Sequence, residues 1–230
     1  MLTRVLEPEV MDTAEEAADY DSMDHSEVNR RFVDDWSVAC QAWGLDPARL
    51  QSMLDVGTGT ALIPIEFCQR FQALRIEAID LADEMLKIGA DNLQRFDLID
   101  QVTLKRVDAK RISSDDRTFE TVVSNSIIHH LPEPLDSLTE MVRVLAPGGL
   151  LFVRDLMRPT TDAEVESIVQ TYAGGGTPRQ QQLLRQSLHA ALTVDEVAAL
   201  LERIGLRREY VRATSDRHWT ISCVKPTDGY

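Results

Sequence analysis

The chain has 230 residues, 43% of them hydrophobic and 27% charged, with a formal net charge of −14. That composition belongs to a globular protein and excludes a largely disordered one. No apolar run approaches the roughly 20 residues that cross a bilayer, and the acidic balance repels polyanions, so neither a membrane nor nucleic acid is expected as a partner. Residues 1–24 lack a basic flank followed by an apolar core and do not read as a signal peptide. Cys40, Cys68 and Cys223 lie far apart and fit no metal-ligand spacing; they read as reduced, buried small hydrophobes of a cytoplasmic protein.

In chain order, Thr13 and Glu16 are placed to form a capping box for a first helix. A longer helix is predicted from about Ser26, with Val28, Phe32, Trp36, Cys40 and Trp43 on one stripe, ended by Gly44 and Pro47. The middle of the chain then alternates. Strands are predicted at 52–56, 75–80, 102–107, 121–124 and 149–153, with helical patterns between them, such as Leu135, Leu138, Val142 and Leu145. Such alternation predicts a parallel sheet covered on both faces.

After Asp155 the pattern turns helical. Thr161 and Glu164 open a helix with Val165, Ile168, Val169 and Tyr172 on one face. Gly174-Gly175-Gly176 breaks it, Pro178 begins a Gln-rich helix, and Thr193 with Glu196 opens a last one that Gly205 stops. Strands near 209–213 and 219–224 are close enough to pair as a hairpin. A single domain is expected: a helical cap over 1–48, a cofactor-binding core over 49–157, a helical insertion or lid over 158–192, and a last helix with the hairpin over 193–230.

The chemistry-bearing signal is Leu54-Asp55-Val56-Gly57-Thr58-Gly59-Thr60-Ala61-Leu62, a buried strand running into a glycine turn and then a helix. Gly57 and Gly59 let the backbone approach a ligand, and the helix N-terminus favours an anionic group such as a carboxylate. A dinucleotide fold wants a third glycine where this chain has Leu62, and Asp55 disfavours a pyrophosphate beside it. The same carboxylate suits a ligand carrying an ammonium group. S-adenosylmethionine has an α-ammonium, a carboxylate and a sulfonium, and no phosphate. Asp80 ends the second strand, where an acid accepts from both ribose hydroxyls or else caps the helix that follows. Asp108-Ala109 ends the third, where a carboxylate takes an adenine amino group or sits in a solvated turn.

With Asn125-Ser126-Ile127-Ile128-His129-His130-Leu131-Pro132 and Arg143-Val144-Leu145-Ala146-Pro147-Gly148-Gly149, these blocks resemble the class I S-adenosylmethionine-dependent methyltransferases, over about residues 50–157. Ala61 stands where most members have a third glycine. Glu7-Pro8-Glu9-Val10-Met11-Asp12 and Ser215-Asp216-Arg217-His218-Trp219 resemble an uncharacterised bacterial subgroup. The resemblance implies a Rossmann-like α/β sandwich, its seven-stranded, mostly parallel sheet ending in an antiparallel strand, with the N-terminal helices folded over the cofactor. It implies cofactor contacts from Tyr20, Asp55, Gly57, Thr58, Gly59, Asp80, Leu81, Met85, Asp108, Ala109 and Asn125.

The segment after the fourth strand is expected to face the transferring methyl group. Ser124-Asn125-Ser126-Ile127 lacks the proline and aromatic residues of nucleic-acid amino-methyltransferases, so a small-molecule acceptor is expected. His129 and His130 are the candidate catalytic residues: a neutral imidazole removes a proton near neutral pH, unless the pair holds the loop instead. Arg154, Asp155, Arg185, His189 and Asp216-Arg217-His218 are candidates to orient a polar acceptor or to form ordinary surface pairs, and the Gly174–Gly176 stretch suggests a lid that closes over the acceptor. No metal is expected. The competing readings are a non-catalytic S-adenosylmethionine-binding sensor and, less favoured, a nicotinamide-dependent oxidoreductase.

Overall fold

The computed structural model describes residues 2–7 and 12–227. Of the acidic N-terminal motif, residues 8–11 therefore lie outside the described residues, as does the side chain of Glu16. Seven strands form one sheet: β1 (Ser52–Val56), β2 (Arg75–Asp80), β3 (Val102–Arg106), β4 (Phe119–Asn125), β5 (Leu145–Leu156), β6 (Val211–Ala213) and β7 (His218–Val224), in the order β3-β2-β1-β4-β5-β7-β6. β1 pairs parallel with β2 and β4, and β2 parallel with β3, whereas β6 and β7 pair antiparallel as the expected hairpin. The helices are α1 (Ala14–Asp21), α2 (Ser26–Ala42), α3 (Leu62–Arg70), α4 (Asp83–Arg95), α5 (Pro134–Val144), α6 (Asp162–Ala173), α7 (Pro178–Ala190) and α8 (Val194–Arg203). None is long and apolar enough to cross a membrane.

The chain divides into two compact units, one built from residues 2–7, 126–135 and 154–221, the other from 12–125, 136–153 and 222–227. In the second, β1 is buried from Met53 to Val56, as a strand covered on both faces must be. Its core gathers Phe32, Trp36, Met53, Phe67 and Phe152. Trp36 meets Phe67 edge-on at 4.9 Å between centroids, and its indole N–H donates to Thr121 Oγ1 at 3.1 Å, so the buried donor is satisfied. The predicted stripe of α2 holds in the middle and fails at its ends: Val28 and Trp43 are exposed, and Val33 is buried in their stead.

β5 begins four residues earlier than the sequence pattern indicated. Leu145-Ala146-Pro147-Gly148 reads as a helix end and turn, but Gly148 N donates to Lys225 O and Lys225 N to Gly149 O, a pairing that no local pattern reveals. The Lys225 ammonium also donates to the carbonyls of Val142 and Leu145 at 2.6 and 2.8 Å, capping the C-terminal end of α5.

The first unit is organised by caps. Thr177 and Gln180, and Thr193 and Glu196, form complete capping boxes at α7 and α8. Thr161 caps α6 alone, because Glu164 turns to Thr160. Val165, Ile168 and Val169 of α6 pack on Leu188, Ala191 and Leu156. Arg158, buried, ties this unit together by donating to Ala191 O and to Glu196 Oε1. Cys40, Cys68 and Cys223 are buried, as expected.

Candidate functional site

In parallel β1, β2 and β4, the carboxyl ends lie side by side, where open α/β sheets place ligands. The loop 57–61 rises from β1 at this edge. Gly57 N and Thr58 N both donate to Ile79 O, fastening the loop to the end of β2. Gly57, Gly59 and Ala61 have φ of 77°, 55° and 62°. Two of the three left-handed positions thus carry glycine, and the third carries the smallest side chain with a Cβ. Gly89 of α4 lets that helix come close: a Cβ there would touch Ala61 Cβ and the Thr60 backbone at 3.4 Å. Asn92 of α4 donates to Thr60 O at 3.1 Å and to Asp21 Oδ1 at 2.9 Å, binding loop, α4 and α1 together.

Asp80 is positioned by that loop. Its Oδ2 accepts from Gly59 N at 2.8 Å and its Oδ1 from Ala82 N at 2.9 Å. The N-cap of α4 is Ala82, so Asp80 braces the turn into the helix without capping it. An ionised carboxylate has about four lone-pair sites, and these two bonds leave capacity for two hydroxyl donors. Asp55 is 2% exposed, and its Oδ2, like Thr58 Oγ1 and Thr60 Oγ1, has no hydrogen-bond partner among the described residues. Burial, opposed by the nearby Thr58 hydroxyl and aided by the negative charge of Asp80, raises the Asp55 pKa to about 7. A buried acid with an open acceptor is the feature a cationic ligand would complete.

Tyr20 of α1 covers the loop. Its Cε1 lies 3.8 Å from where a Gly59 Cβ would stand, and its ring stacks on His25 and packs with Met85, Ala17 and Ala82. Burial and the nearby Asp80 and Asp55 raise its pKa to about 12, so the phenol stays protonated. Met85 is buried and Leu81 half-buried. Val107 N donates to Asp80 O, which brings the end of β3 beside β2. Asp108 there accepts from Lys110 N at 2.9 Å and, with Ala109, is half-exposed. Asn125 ends β4 one residue after Ser124, which pairs with Val56. Tyr20, Asp55, Gly57, Thr58, Gly59 and Asp80 are therefore gathered at one loop of one unit. The threonine at 60 and the clamp residue Asn92 were not singled out from the sequence; only the residue types hinted at them.

The other unit holds the histidines. His129 and His130 form one helical turn, Ile128–His130, behind Ser126, whose φ is 62°. Asp155, fully buried, accepts from Ile128 N at 2.5 Å and His129 N at 3.2 Å. Its Oδ1 lies 2.5 Å from His129 Nδ1. On the far side, Glu7 Oε1 is 3.3 Å from His129 Nε2 and 3.1 Å from His130 Nδ1. Burial favours the neutral imidazole of His129, but the charges of Asp155 and Glu7 outweigh it and lift its pKa above the ordinary value. Asp155 is correspondingly held below the usual carboxylate range, against its burial, while burial raises Glu7. Both ring nitrogens of His129 are thus engaged, and His130 is the more accessible of the two.

Arg4 and Glu7 were absent from the sequence-derived site. The Arg4 guanidinium donates to the carbonyls of Ala190, His129 and Leu131, and Val5 N donates to His189 O. Only the acidic motif around Glu7 pointed to this segment. The remaining candidates have ordinary partners: Arg185 pairs with Glu166, His189 lies 3.8 Å from Asp162, and Arg154 donates to Thr220 Oγ1. Tyr172 donates to Asp216 and lies beneath the Arg217 guanidinium, while burial next to Arg217 and Arg154 lowers His218 to about 4.

Residues 54–153 match the family described as a methyltransferase domain. A malonyl-[acyl-carrier protein] O-methyltransferase from Geobacter sulfurreducens is 33% identical over 195 residues, spanning 83% of this chain and 67% of that protein. A demethylmenaquinone methyltransferase from Porphyromonas gingivalis is 26% identical over 182 residues, 74% of each chain. Among solved structures, a SAM-dependent methyltransferase from Aquifex aeolicus superposes with a TM-score of 0.62 at 19% identity, covering 91% of this chain and 97% of that one. The plantazolicin methyltransferase BpumL, solved with SAH, gives 0.70 at 15% identity, with 91% and 88% covered. The glycine loop, the acid at the end of β2 and these likenesses converge: the chain belongs to the class I S-adenosylmethionine-dependent methyltransferases.

Proposed function

We propose that this enzyme moves the methyl group of S-adenosylmethionine to a small-molecule acceptor by in-line displacement at the sulfonium methyl carbon. The observation that carries the cofactor half is Asp55: a buried carboxylate with an open oxygen beside a glycine loop. In this reading Asp55 and the Thr58 and Thr60 hydroxyls meet the α-ammonium end. Asp80 takes the ribose hydroxyls, Tyr20 lies on the methionine moiety, and Leu81, Met85, Asp108 and Ala109 surround the adenine. The loop backbone of Gly57 and Gly59 approaches the ligand directly, and Asn125 borders it at the end of β4.

The cofactor supplies an already activated electrophile, so the protein's work is alignment and exclusion of water, worth about 7–11 kcal/mol in well-oriented systems. Where the acceptor must lose a proton, the proposed base is His130, whose side chain is the more exposed of the pair. A small-molecule acceptor is supported by the net charge of −14 and by relatives named for malonyl-[acyl-carrier protein] and demethylmenaquinone. Incubating the enzyme with S-adenosylmethionine and panels of acids, phenols, quinols and amines, and measuring S-adenosylhomocysteine, tests the reading. Turnover with a member of those panels is expected. Turnover with RNA or DNA alone overturns the acceptor class, and tight cofactor binding with no turnover on any panel favours a sensor.

A further inference from the structure

Glu7, His129 and His130 converge more closely than a base and its partners require. Oε1 of Glu7 lies 3.3 Å from His129 Nε2 and 3.1 Å from His130 Nδ1, and one ligating atom from each of the three residues falls within 4.8 Å of the others. As hydrogen bonds these contacts are long for charged partners, whose N···O distances run near 2.7–2.9 Å. As neighbouring ligands of one ion they are of the right size: atoms about 2.0–2.1 Å from a metal, at 90–110° to one another, stand about 2.9–3.4 Å apart. On the outer side of His129, Nδ1 meets Asp155 Oδ1 at 2.5 Å. A carboxylate there fixes the tautomer that leaves Nε2 with its lone pair inward, the arrangement that accompanies metal-ligating histidines.

The supports around this triad are built. Ser187 Oγ donates to both Glu7 oxygens at 3.2 and 3.3 Å, and Arg4 holds the segment that delivers Glu7 through the His129 and Leu131 carbonyls. At His129 the charges of Asp155 and Glu7 act together and that of Arg4 opposes them. The side chains of Glu7 and His129 are 9% and 4% exposed and that of His130 is 20%, which leaves one approach open.

We infer that Glu7, His129 and His130 bind one divalent transition-metal ion of the zinc type. Two imidazole nitrogens and one carboxylate oxygen are a borderline donor set suited to zinc, and three protein ligands leave a position for water or an oxygen ligand. The ion also locks residues 2–7 onto the turn Ile128–His130. An ion held by His130 Nδ1 takes that atom out of the base role proposed above.

The test is calorimetric titration of Zn²⁺ into the untagged, chelator-stripped full chain, together with Glu7→Gln and His130→Ala, in the absence of cofactor. One ion per chain is expected, with affinity reduced at least about 100-fold in each variant. Absence of stoichiometric binding, or binding that survives both substitutions, overturns the site. Should the variants fail to fold, Co²⁺ added to the wild type decides: visible d–d absorption of a nitrogen-ligated low-coordinate ion supports the site, and the spectrum of the hydrated ion alone overturns it. Because no cofactor is present, failure here leaves the methyltransferase reading intact.

Discussion

Replacing Asp55 by Asn removes one proton-binding oxygen from the floor of the cofactor loop and nearly nothing else. In the cofactor-free protein Asp55 titrates near pH 7 because burial opposes its charge. The unfolded chain loses the same proton near the ordinary value of about 3.9. A folded-state pKa raised above the unfolded one means that stability is retained at low pH and lost as pH rises toward 7. Between pH 5 and pH 8 the linkage amounts to about 3 kcal/mol, or roughly 6–12 °C in Tm for a chain of this size. Thermal unfolding of wild type and Asp55→Asn at pH 5, 6, 7 and 8 isolates the effect, since every other titrating group is common to both. The variant is expected to gain on the wild type steadily across that range. With S-adenosylmethionine present the order reverses, because the ammonium favours the carboxylate; loss of the partner of a buried charge, about 3–5 kcal/mol, weakens binding at least about 100-fold. A Tm difference that stays constant with pH refutes the argument.

Ala61, at φ 62° and fully buried, is expected to tolerate Gly within about 1 kcal/mol, since relief of the left-handed strain offsets the lost methyl. Ala61→Val combines that strain with overpacking against Gly89 and is expected to cost at least about 2 kcal/mol, read by urea unfolding. In the metal-free protein, Asp155→Asn leaves the His129 imidazolium without its buried partner and is expected to cost about 3–5 kcal/mol near pH 6. Since Asp155 is held below its usual range and His129 above its own, the wild-type advantage is greatest between the two pKa values. It fades as acid protonates Asp155 and again as base neutralises His129; an advantage independent of pH contradicts the pairing.

The sheet was legible because burial on both faces writes itself as short apolar runs, and Met53 to Val56 needs no tertiary information to be recognised. The glycine loop was legible because only certain residues suit φ above zero. What escaped was non-local. The early start of β5 depends on Lys225, and the setting of His129 depends on Glu7 and Asp155, one far before it and the other beyond the next helix. Asp80 lay between two readings, and its bonds from Gly59 N, 21 positions away, and from Ala82 N tie it to both the glycine loop and the start of α4.

In the proposed mode of binding the cofactor sits between the 57–61 loop and the acid at the end of β2. Titrating S-adenosylmethionine calorimetrically into the wild type and into Asp80→Ala, each first shown to be folded by circular dichroism, tests it most directly. Two hydrogen bonds to a charged group, about 1.5–3 kcal/mol each, predict an affinity loss of about 100-fold or more. Equal affinity in a folded Asp80→Ala variant would place the cofactor elsewhere and contradict the account.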